Sequence, residues 1–493
     1  MENKTRAQLR KEQEQARKEQ KKQQSPLGKI IAIGLTLIVV LGGAGFFYWQ
    51  NEQEAMKQAF DKKTTALLAE TKTNLDETGI GTTEKVDKDT EKKQQVVSYL
   101  PTTPTATTDS MTEPLNALIK QGKENLKDHW GTVVAYLDVH HVTDQLTEIQ
   151  PKVVSYSWNK QKKTFVKKEF KDQGDTFINQ STQAPLTATD LFPEKADLLG
   201  MFTVLQQKIL DDSGKGNEIV DEVLAMERPT AETLNFTYTP DGITVHLGEN
   251  NFGLTDVDLP FDSLSGYVNP SFVDPTKITN TEPQLEEGKK YISLTFDDGV
   301  NSTTTPQLLD TLEATGVKAT FFILGENAQS NPDVLKRIVD DGHEVANHSW
   351  DHAVLTSQTT EEVQQEIRST SKLIYQATGV LPHFVRPPYG AVDAATAETI
   401  GLPIIQWNVD SSDWELKNKD AIVSKVTNNT FNGTILLLHD IHQFSVDSVP
   451  EIISQLQQQG YEFVTLEQML GKTKPLYQYF GLYSGAVDKR LVQ

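Results

Sequence analysis

The chain has 493 residues, more than one hydrophobic core usually supports, and this length predicts several domains. It contains no cysteine, which excludes disulfides, thiolate-bound metals and a cysteine nucleophile and is compatible with export from the cell. The net charge of −21 argues against a protein that binds the phosphate backbone of nucleic acid.

The N-terminus combines a basic segment with an uncharged one. Residues 1–29 contain nine Lys or Arg and four Glu, which gives a net charge of +5. Ile30–Trp49 carries no charge and is long enough to cross roughly 30 Å of hydrocarbon as a helix. Because positive flanks stay on the cytoplasmic side, we expect residues 1–29 in the cytoplasm, a single-pass anchor at 30–49 and an extracellular remainder. The alternative is a cleaved signal peptide with its apolar core at Ile30–Leu41, although no clear small-residue cleavage site follows.

Two regions of different composition follow the apolar segment. Residues 50–110 are polar and end near the Thr/Pro-rich stretch LPTTPTATTDS, which predicts a solvated stalk or linker. Residues 111–282 mix β-rich runs such as GTVVAYLDV with the helical spacing of EKADLLGMFTVLQQKILDD, and NFTYTPDGITVHL has the pattern of a hairpin. We therefore expect a smaller extracellular α+β region of unknown role, since no motif in it carries chemistry.

The pattern changes again at residues 283–471, where short apolar runs alternate with amphipathic segments. The apolar runs are YISLTF, KATFFIL, HEVANH, HFVRPP, PIIQWNV, GTILLLH and YEFVTL. Several show little alternation, as expected of strands buried in a parallel sheet. Repeated strand and helix predict an α/β domain, and a (β/α) barrel fits this order best. Residues 472–493 form a predicted C-terminal tail to which we assign no role.

Polar residues collect where five of these predicted strands end. They are Asp297 and Asp298, HSWDH at 348–352, RPPYG at 386–390, DSSDW at 410–414 and HDIH at 439–442. Because the carboxyl ends of parallel strands meet at one face, we expect the five clusters to share one mouth. Each motif alone has an ordinary explanation as a turn, a surface coincidence or an extended proline loop. Their joint occurrence in this order is what makes the pattern specific.

The paired acids at the end of YISLTF predict a cation. Two neighbouring carboxylates are costly unless a positive charge lies beside them, and Gly299 frees the backbone so that both can reach the mouth. His348 and His352 can converge on the same point if their loop makes a helical turn. An Asp-His-His set leaves positions open for water and substrate, which is typical of a catalytic metal site. Such donors suit Zn²⁺, and Co²⁺, Ni²⁺, Mn²⁺ or Fe²⁺ are also compatible with them.

TFDDG, HSWDH, RPPYG, DSSDW and LLLHD resemble the five ordered motifs of the polysaccharide deacetylases, the carbohydrate esterase family built on the NodB homology domain. The resemblance covers about residues 290–470. It implies a distorted (β/α) barrel and the metal-dependent hydrolysis of an acetamide. In that family the matching residues would bind one divalent metal, with Zn²⁺ favoured, through Asp298, His348 and His352. Asp297 would be the general base on the attacking water, and Arg386 would hold Asp297 ionised and oriented.

The resemblance implies the remaining roles as well. The backbone N–H of Tyr389 would stabilise the oxyanion. His439 would be the general acid for the leaving amine, with Asp413 as its partner. Trp414 and Leu437 would line the pocket for the acetyl methyl group.

The resemblance and the expected anchor together imply a cell-wall enzyme of a Gram-positive bacterium. It would deacetylate N-acetylglucosamine in peptidoglycan and confer lysozyme resistance, with glycan strands and the membrane as partners and no nucleic acid. The alternative is the same reaction on chitin oligomers, an exopolysaccharide, acetyl-xylan or the N-acetylmuramic acid of peptidoglycan. A catalytically inactive wall-binding or sensing protein that acts through residues 111–282 is a third hypothesis, and the complete motifs argue against it. His442 is either structural or in contact with substrate, and His343 and His383 are expected to be structural.

Overall fold

The computed structural model describes residues 6–22, 26–76, 82–102, 111–171, 176–279, 283, 285–484 and 486–493. It describes the side chains of these residues except at 20–22 and 26–41. The chain divides into two units. Unit 1 comprises Met1–His140 and Ile149–Thr176, and unit 2 comprises His141–Glu148 and Phe177–Gln493.

The described residues of unit 1 form three helices and most of the first five strands. The helices are α1 (Arg6–Lys22), α2 (Pro26–Asp76) and α3 (Thr112–Leu126), and the strands are β1 (Thr82–Asp89), β2 (Gln94–Pro101), β3 (Gly131–His141), β4 (Leu146–Asn159) and β5 (Thr164–Lys171). β1 pairs antiparallel with β2, β2 pairs parallel with β3, and β4 pairs antiparallel with β5. Helix α3 buries its apolar side chains in a core with residues of β2, β3 and β4.

Most of the predicted stalk at 50–110 is folded, so the prediction of a solvated linker is wrong for its described part. Helix α2 continues to Asp76 and buries Phe60 and Leu75. The ring of Phe60 lies 5.7 Å from that of Trp130 and 5.6 Å from that of Trp158, both edge-on. The buried positions of α2 are separated by about whole helical turns, so they lie on one face of the helix. The rest of the helix is polar, which is why the composition of this segment resembles that of a linker.

The predicted anchor Ile30–Trp49 lies within α2, but its residues 30–41 fall outside the part of the chain whose side chains are described. Among the described residues, no helix combines the length and the apolarity that crossing a membrane requires. Residues 103–110 of the Thr/Pro-rich stretch also lie outside the described part of the chain.

The predicted α+β region at 111–282 is divided between the two units. The first part of unit 2 holds its later portion. It contains α4 (Ala188–Leu191), α5 (Lys195–Ser213), α6 (Gly216–Leu224), β6 (Thr176–Asn179), β7 (Ala184–Pro185), β8 (Phe236–Thr239), β9 (Gly242–His246) and β10 (Asp256–Pro260). The expected hairpin is formed by β8 and β9, and β10 pairs antiparallel with β9. The core of this region also includes Tyr375 and Leu381, which follow in the α/β part of the chain. The predicted domain boundary between residues 282 and 283 therefore separates residues that share a core. Whether the two parts are separate domains stays a prediction.

The second part of unit 2 carries the remaining elements. Its strands are β11 (Lys290–Asp297), β12 (Thr320–Ile323), β13 (Glu344–Asn347), β14 (Ile404–Ile405), β15 (Val409–Asp410), β16 (Thr434–His439), β17 (Tyr461–Phe463), β18 (Tyr477–Tyr483) and β19 (Ala486–Leu491). Its helices are α7 (Thr304–Thr315), α8 (Gly325–Gln329), α9 (Pro332–Asp340), α10 (Thr360–Thr378), α11 (Ala394–Ile400), α12 (Asp413–Leu416), α13 (Lys419–Asn429), α14 (Gln443–Gln458) and α15 (Leu466–Leu470).

These strands close into a distorted barrel, which confirms the α/β barrel predicted for this part of the chain. β13, β12, β11 and β16 pair in parallel in that order. Val385 forms single parallel bridges to β13 and β14, so the predicted strand HFV is reduced to one residue. β14 pairs with β18, and β18 meets β16 in antiparallel orientation and closes the ring. The antiparallel β18 and the single bridge at Val385 are the distortions from a regular barrel.

The C-terminal tail supplies the closing strand, a role that the sequence did not predict. The Leu482 N–H donates to the Gly433 carbonyl, and the Gln406 N–H donates to the carbonyl of Tyr479. The Tyr479 side chain is buried in the same core as residues of β14 and β16. β19 then pairs antiparallel with β18, so residues 477–483 and 486–491 are part of the sheet.

Candidate active site

The five polar clusters meet at one end of the barrel, as predicted. Asp297 is the last residue of β11 and pairs with His439, the last residue of β16. His348 directly follows β13, and Arg386 directly follows the bridge at Val385. The loop with Asp413 follows β15. The barrel therefore brings together residues that are up to about 140 positions apart in the chain.

Asp298, His348 and His352 form a set of side chains that fits a metal ion. Each offers one ligand atom, and the three atoms lie within 4.8 Å of one another. Oδ1 of Asp298 is 3.5 Å from Nε2 of His348 and 3.6 Å from Nε2 of His352. That oxygen is buried and has no hydrogen-bond partner within the described part of the chain. Nδ1 of His348 lies 2.6 Å from the Arg386 carbonyl, and donation there leaves Nε2 free to bind a metal.

The charges around Asp298 favour its ionised form. Burial by itself would raise its pKa, but the close approach of the His348 imidazole and the nearby histidine charges lower the pKa to about 2. A carboxylate with one uncommitted buried oxygen and two imidazoles beside it provides the hard and borderline donors that a divalent cation prefers. The residues present therefore fit the expected metal.

The loop between His348 and His352 is not a helical turn, which was the conformation expected from their spacing. Ser349 and His352 have left-handed φ values of 70° and 66°. The carboxylate of Glu366 accepts the Trp350 N–H at 2.8 Å and the Asp351 N–H at 3.2 Å. A polar anchor on α10 thus holds an irregular loop, and the imidazole rings of His348 and His352 lie 5.1 Å apart.

Asp297 is held by a fully buried arginine. Nη1 of Arg386 donates to Oδ1 of Asp297 at 2.6 Å and to the Thr295 hydroxyl at 2.9 Å. Its Nε and Nη2 donate to the carbonyls of Ile405 and Gln406 at 3.2 and 3.1 Å. Because these bonds fix the guanidinium in one orientation, they also fix the carboxylate of Asp297.

His439 and Asp413 form the predicted pair. Nδ1 of His439 lies 2.7 Å from Oδ1 of Asp413, and the buried Oδ2 of Asp413 accepts the His439 N–H at 2.8 Å and the Ser445 hydroxyl at 2.6 Å. Burial alone would lower the pKa of His439. The bond to Asp413, together with the charges of Asp413, Asp297 and Asp298, raises that pKa to about 9.

The three predicted substrate-contacting residues lie around this mouth. Tyr389 has a left-handed φ of 59°, and its exposed ring lies edge-on to His352 at 4.6 Å. Trp414 follows Asp413 and is 52% exposed. Leu437 is buried two residues before His439 on β16, so both side chains point to the same face of the strand.

The three other histidines of the α/β part are placed as follows. The His442 ring stacks on Phe444 at 4.9 Å and lies 6.3 Å from the His439 ring, so it reaches the mouth without joining the Asp413 pair. Burial lowers the pKa of His442. His343 is buried and accepts the Ala319 N–H at 3.2 Å, which supports the structural role expected for it. His383 lies on the segment that enters the bridge at Val385, away from the mouth.

Two residues that orient the site were missed in the sequence. Thr295 contacts Arg386 and lies two positions before Asp297, so the two-residue period of a strand could have placed it on the same face. Ser445 donates to Asp413 from the first turn of α14, and no sequence pattern marks it.

Comparison with known proteins places this site in a family. A family model for polysaccharide deacetylase matches residues 284–403, and one for the peptidoglycan GlcNAc deacetylase N-terminal domain matches residues 62–280. The peptidoglycan-N-acetylglucosamine deacetylase PgdA of Listeria monocytogenes is 30% identical over 479 residues, which cover 94% of this chain and 98% of that protein. The chain belongs to the polysaccharide deacetylase family. The resemblance seen in the five motifs is thereby confirmed.

Other members of the polysaccharide deacetylase family are similar over shorter stretches. The peptidoglycan-N-acetylmuramic acid deacetylase PdaC of Bacillus subtilis is 33% identical over 313 residues, covering 59% of this chain and 66% of that protein. A peptidoglycan-N-acetylglucosamine deacetylase of Bacillus cereus is 39% identical over 226 residues, covering 44% of this chain and 81% of that protein. The match to the N-terminal domain model begins at residue 62, within the segment that the composition predicts to be a stalk.

Proposed function

We propose that this polysaccharide deacetylase hydrolyses the N-acetyl group of N-acetylglucosamine residues in peptidoglycan, releases acetate and thereby confers lysozyme resistance. The observation that carries the proposal is the convergence of a metal-ligand set, an arginine-held carboxylate and a paired histidine at one mouth. Amide hydrolysis needs these three functions, because water must be activated, an oxyanion stabilised and a poor leaving group protonated. The full-length similarity to the Listeria enzyme supports this polymer and this sugar.

One side of the mouth would activate water. Asp298, His348 and His352 would hold a divalent metal, with Zn²⁺ favoured, and a bound metal supplies Lewis acidity to water and to the acetyl carbonyl. Asp297 would accept the proton of the attacking water. Arg386 would keep the Asp297 carboxylate ionised and aimed at that water, because both of its hydrogen-bonding edges are fixed.

The other side of the mouth would complete the reaction. The backbone N–H of Tyr389 would donate to the oxyanion that forms from the acetyl carbonyl. His439 would give its proton to the departing amine, and Asp413 would keep His439 protonated until then. Trp414 and Leu437 would enclose the acetyl methyl group and select a small acyl group.

A second candidate is deacetylation of N-acetylmuramic acid in the same polymer. The similarity to PdaC of Bacillus subtilis favours it, since that match covers 59% of this chain. The two sugars differ at O3, where muramic acid carries a lactyl group. Mass spectrometry of muropeptides from treated wall would decide between the candidates by locating the sugar that has lost its acetyl group.

The anchor at Ile30–Trp49 is part of the proposal. We infer that residues 1–29 lie in the cytoplasm, that one span crosses the cell membrane, and that the catalytic region faces the wall. An uncharged stretch after a basic segment supports this topology, as do the exposed large apolar side chains of residues 46–49. Fractionation and N-terminal sequencing would test it, because a cleaved signal peptide would leave a shortened chain in the medium.

The central experiment uses residues 50–493 and purified peptidoglycan. We expect acetate release that a chelator abolishes and that Zn²⁺ or Co²⁺ restores. Full activity after chelation, with metal loss confirmed by elemental analysis, would contradict the assignment of a metal to Asp298, His348 and His352. Binding to the wall without acetate release under any metal would instead favour the inactive wall-binding hypothesis.

A further inference from the structure

The corner that follows β11 has to direct two neighbouring carboxylates into the mouth. Asp298 adopts a left-handed φ of 67° there. Its carbonyl accepts the Asn327 side-chain amide at 2.8 Å, and the Gly299 carbonyl accepts the Leu324 N–H at 2.9 Å. These bonds hold the corner from the side of β12 and α8. On the opposite side, the corner faces a residue that the catalytic proposal does not use.

That residue is Asp440, which directly follows His439 at the end of β16. Its side chain has no solvent exposure. Oδ2 accepts a hydrogen bond from the Thr305 hydroxyl, and the same hydroxyl accepts the Asn301 N–H at 2.9 Å. Oδ1 is buried and has no hydrogen-bond partner within the described residues. Asp440 thus connects β16 to the backbone just after the metal ligand Asp298.

The carboxyl group of Asp440 lies directly against Gly299. A Cβ atom added to Gly299 would lie 2.5 and 2.6 Å from the two oxygens of Asp440, closer than such atoms can approach. The glycine that follows the paired acids is therefore required by a neighbour, since the left-handed residue of the corner is Asp298 and not Gly299. Any residue with a side chain would push the corner away from β16.

Burial of a carboxyl group with an unpaired oxygen, as in Asp440, lowers the stability of the folded protein. Burial raises the pKa of Asp440 to about 7, because the ionised form is poorly solvated there. An apolar residue of similar size would pack behind Gly299 at lower cost, but it could not accept the Thr305 hydrogen bond. Buried polar groups kept at such a cost call for an explanation in terms of function or geometry.

We propose that Asp440 is a positioning residue of the metal centre. Its carboxyl group packs on Gly299 and, through Thr305 and the Asn301 N–H, fixes the corner so that Asp298 points at His348 and His352. Because Asp440 is adjacent to His439, it also ties the metal-binding side of the mouth to the side that carries the acid. This inference rests on the proposed metal site, and it goes beyond the roles assigned to the five motifs.

The first test compares Asp440→Leu with Asp440→Asn in the full chain. Leu keeps the branching of the Asp side chain, although it is bulkier, and it cannot accept the Thr305 hydrogen bond, so we expect Zn²⁺ affinity to fall by about tenfold or more, the range typical of residues that orient metal ligands. Asn keeps an acceptor of the same shape, so its affinity should stay close to that of the wild type. Thr305→Val, which removes the shared hydroxyl, should act in the same direction as Asp440→Leu. Affinity is measured by competition with a chromogenic chelator, without substrate.

The second test asks whether the contact with Gly299 is responsible. Gly299→Ala alone should weaken Zn²⁺ binding, and combining it with Asp440→Ala should cost less than the sum of the two single changes, since the clash is then removed. Gly248→Ala is the matched control, because nothing lies within 4 Å of the added Cβ. Its affinity and thermal midpoint should match those of the wild type.

The outcomes separate this inference from the proposed function. Unchanged Zn²⁺ affinity in Asp440→Leu, with only a lower thermal midpoint, would overturn the positioning role, and so would strict additivity of the Gly299 and Asp440 changes. Metal binding that depends on Asp440 in a protein without deacetylase activity would support the positioning role and contradict the proposed function. Absence of specific Zn²⁺ binding by the wild-type chain would overturn both.

Discussion

At the scale of single residues, the reactivity of this site depends on groups one step away from the reacting atoms. Arg386 fixes Asp297, Asp413 fixes His439, and a backbone carbonyl fixes His348. In each case a hydrogen bond determines which nitrogen or oxygen faces the mouth and in what charge state. Changes at these supporting residues should therefore alter pH dependence or metal content in distinguishable ways.

The pH dependence of activity should reveal the His439–Asp413 pair. Because Asp413 raises the pKa of His439, the histidine remains a proton donor through neutral pH, and activity should fall as pH rises through that value. Asp413→Asn removes the anion at nearly constant size, so the high-pH limb of kcat/KM should move to lower pH. The low-pH limb should change little. Each limb reports an apparent pKa of the whole site, because the titrating groups are coupled. The profile is measured with matched metal content.

An alkaline limb that does not move in Asp413→Asn, with metal content intact, would reject Asp413 as the partner of His439. His442 would then become the alternative acid, since its ring also reaches the mouth. His442→Gln serves as the companion variant. If His439 is the acid, His442→Gln should change KM for oligosaccharides more than it shifts either limb of the pH profile.

Removal of a metal ligand and removal of the base should differ in metal content. His348→Ala leaves two protein ligands, so we expect both bound Zn²⁺ and activity to be lost. Asp297→Asn removes a base and keeps the three ligands, so the metal should stay while most turnover is lost. Elemental analysis after gel filtration reports the metal, and the reverse pattern would exchange the roles of Asp297 and Asp298.

At the scale of secondary-structure elements, α11 depends on a residue from the α+β region. The guanidinium of Arg228 donates to the carbonyls of Glu398, Thr399 and Ile400, the last carbonyls of α11. Gly401 ends this helix with a left-handed φ of 70°, and an added Cβ would lie 2.6 Å from that guanidinium. This helix follows the RPPYG loop, so its cap supports the loop that contains Tyr389.

Loss of this cap should destabilise unit 2. Arg228→Met keeps much of the apolar stem but leaves three carbonyls without their charged donor, so we expect a loss of about 1–3 kcal/mol in the free energy of unfolding. Urea unfolding of residues 50–493 measures it. Arg490→Met is the control, at an exposed arginine that pairs with nearby Asp488 and lies over the Phe480 ring. Met keeps an apolar side chain over that ring, so the midpoint should stay unchanged. Equal midpoints for both variants would show that the cap contributes nothing.

At the scale of the whole molecule, the C-terminal tail and the α+β region are integral parts of the fold. The last residues close the barrel through β18, and residues 188–273 share a core with Tyr375 and Leu381 of the α/β part. Both arrangements bury apolar surface that only the assembled chain can cover. A truncated protein should therefore fold only if it keeps these cores whole, even where a change in composition suggests a domain boundary.

Deletion of residues 472–493 should prevent folding of the barrel. Without β18, the edges of β14 and β16 lose their partner, and the core around Tyr479 is opened to water. We expect an aggregated or unfolded product, whereas deletion of residues 1–49 should leave the far-UV circular dichroism per residue of residues 50–493 unchanged. A soluble, active enzyme without the tail would contradict the role assigned to β18.

The sequence by itself determined the chemistry of this protein. The types and order of Asp297, Asp298, His348, His352, Arg386, Asp413 and His439 indicated the family, the metal donors and a shared mouth, because parallel strands carry their ends to one face. The apolar strands likewise followed from local patterns. These inferences succeeded because each depended on residues close together in the chain or on a general rule of α/β folds.

Only the tertiary structure decided how the chain completes and supports that site. The packing of Phe60 on Trp130 and Trp158 turned an apparent stalk into a folded helix, and β18 turned a tail into the closing strand. A left-handed loop brought the histidines together, and Asp440 came to lie against Gly299. Each of these features is a contact between distant segments or a backbone conformation imposed by such a contact. No local period or composition encodes them, because the free energy that selects them arises when the segments meet.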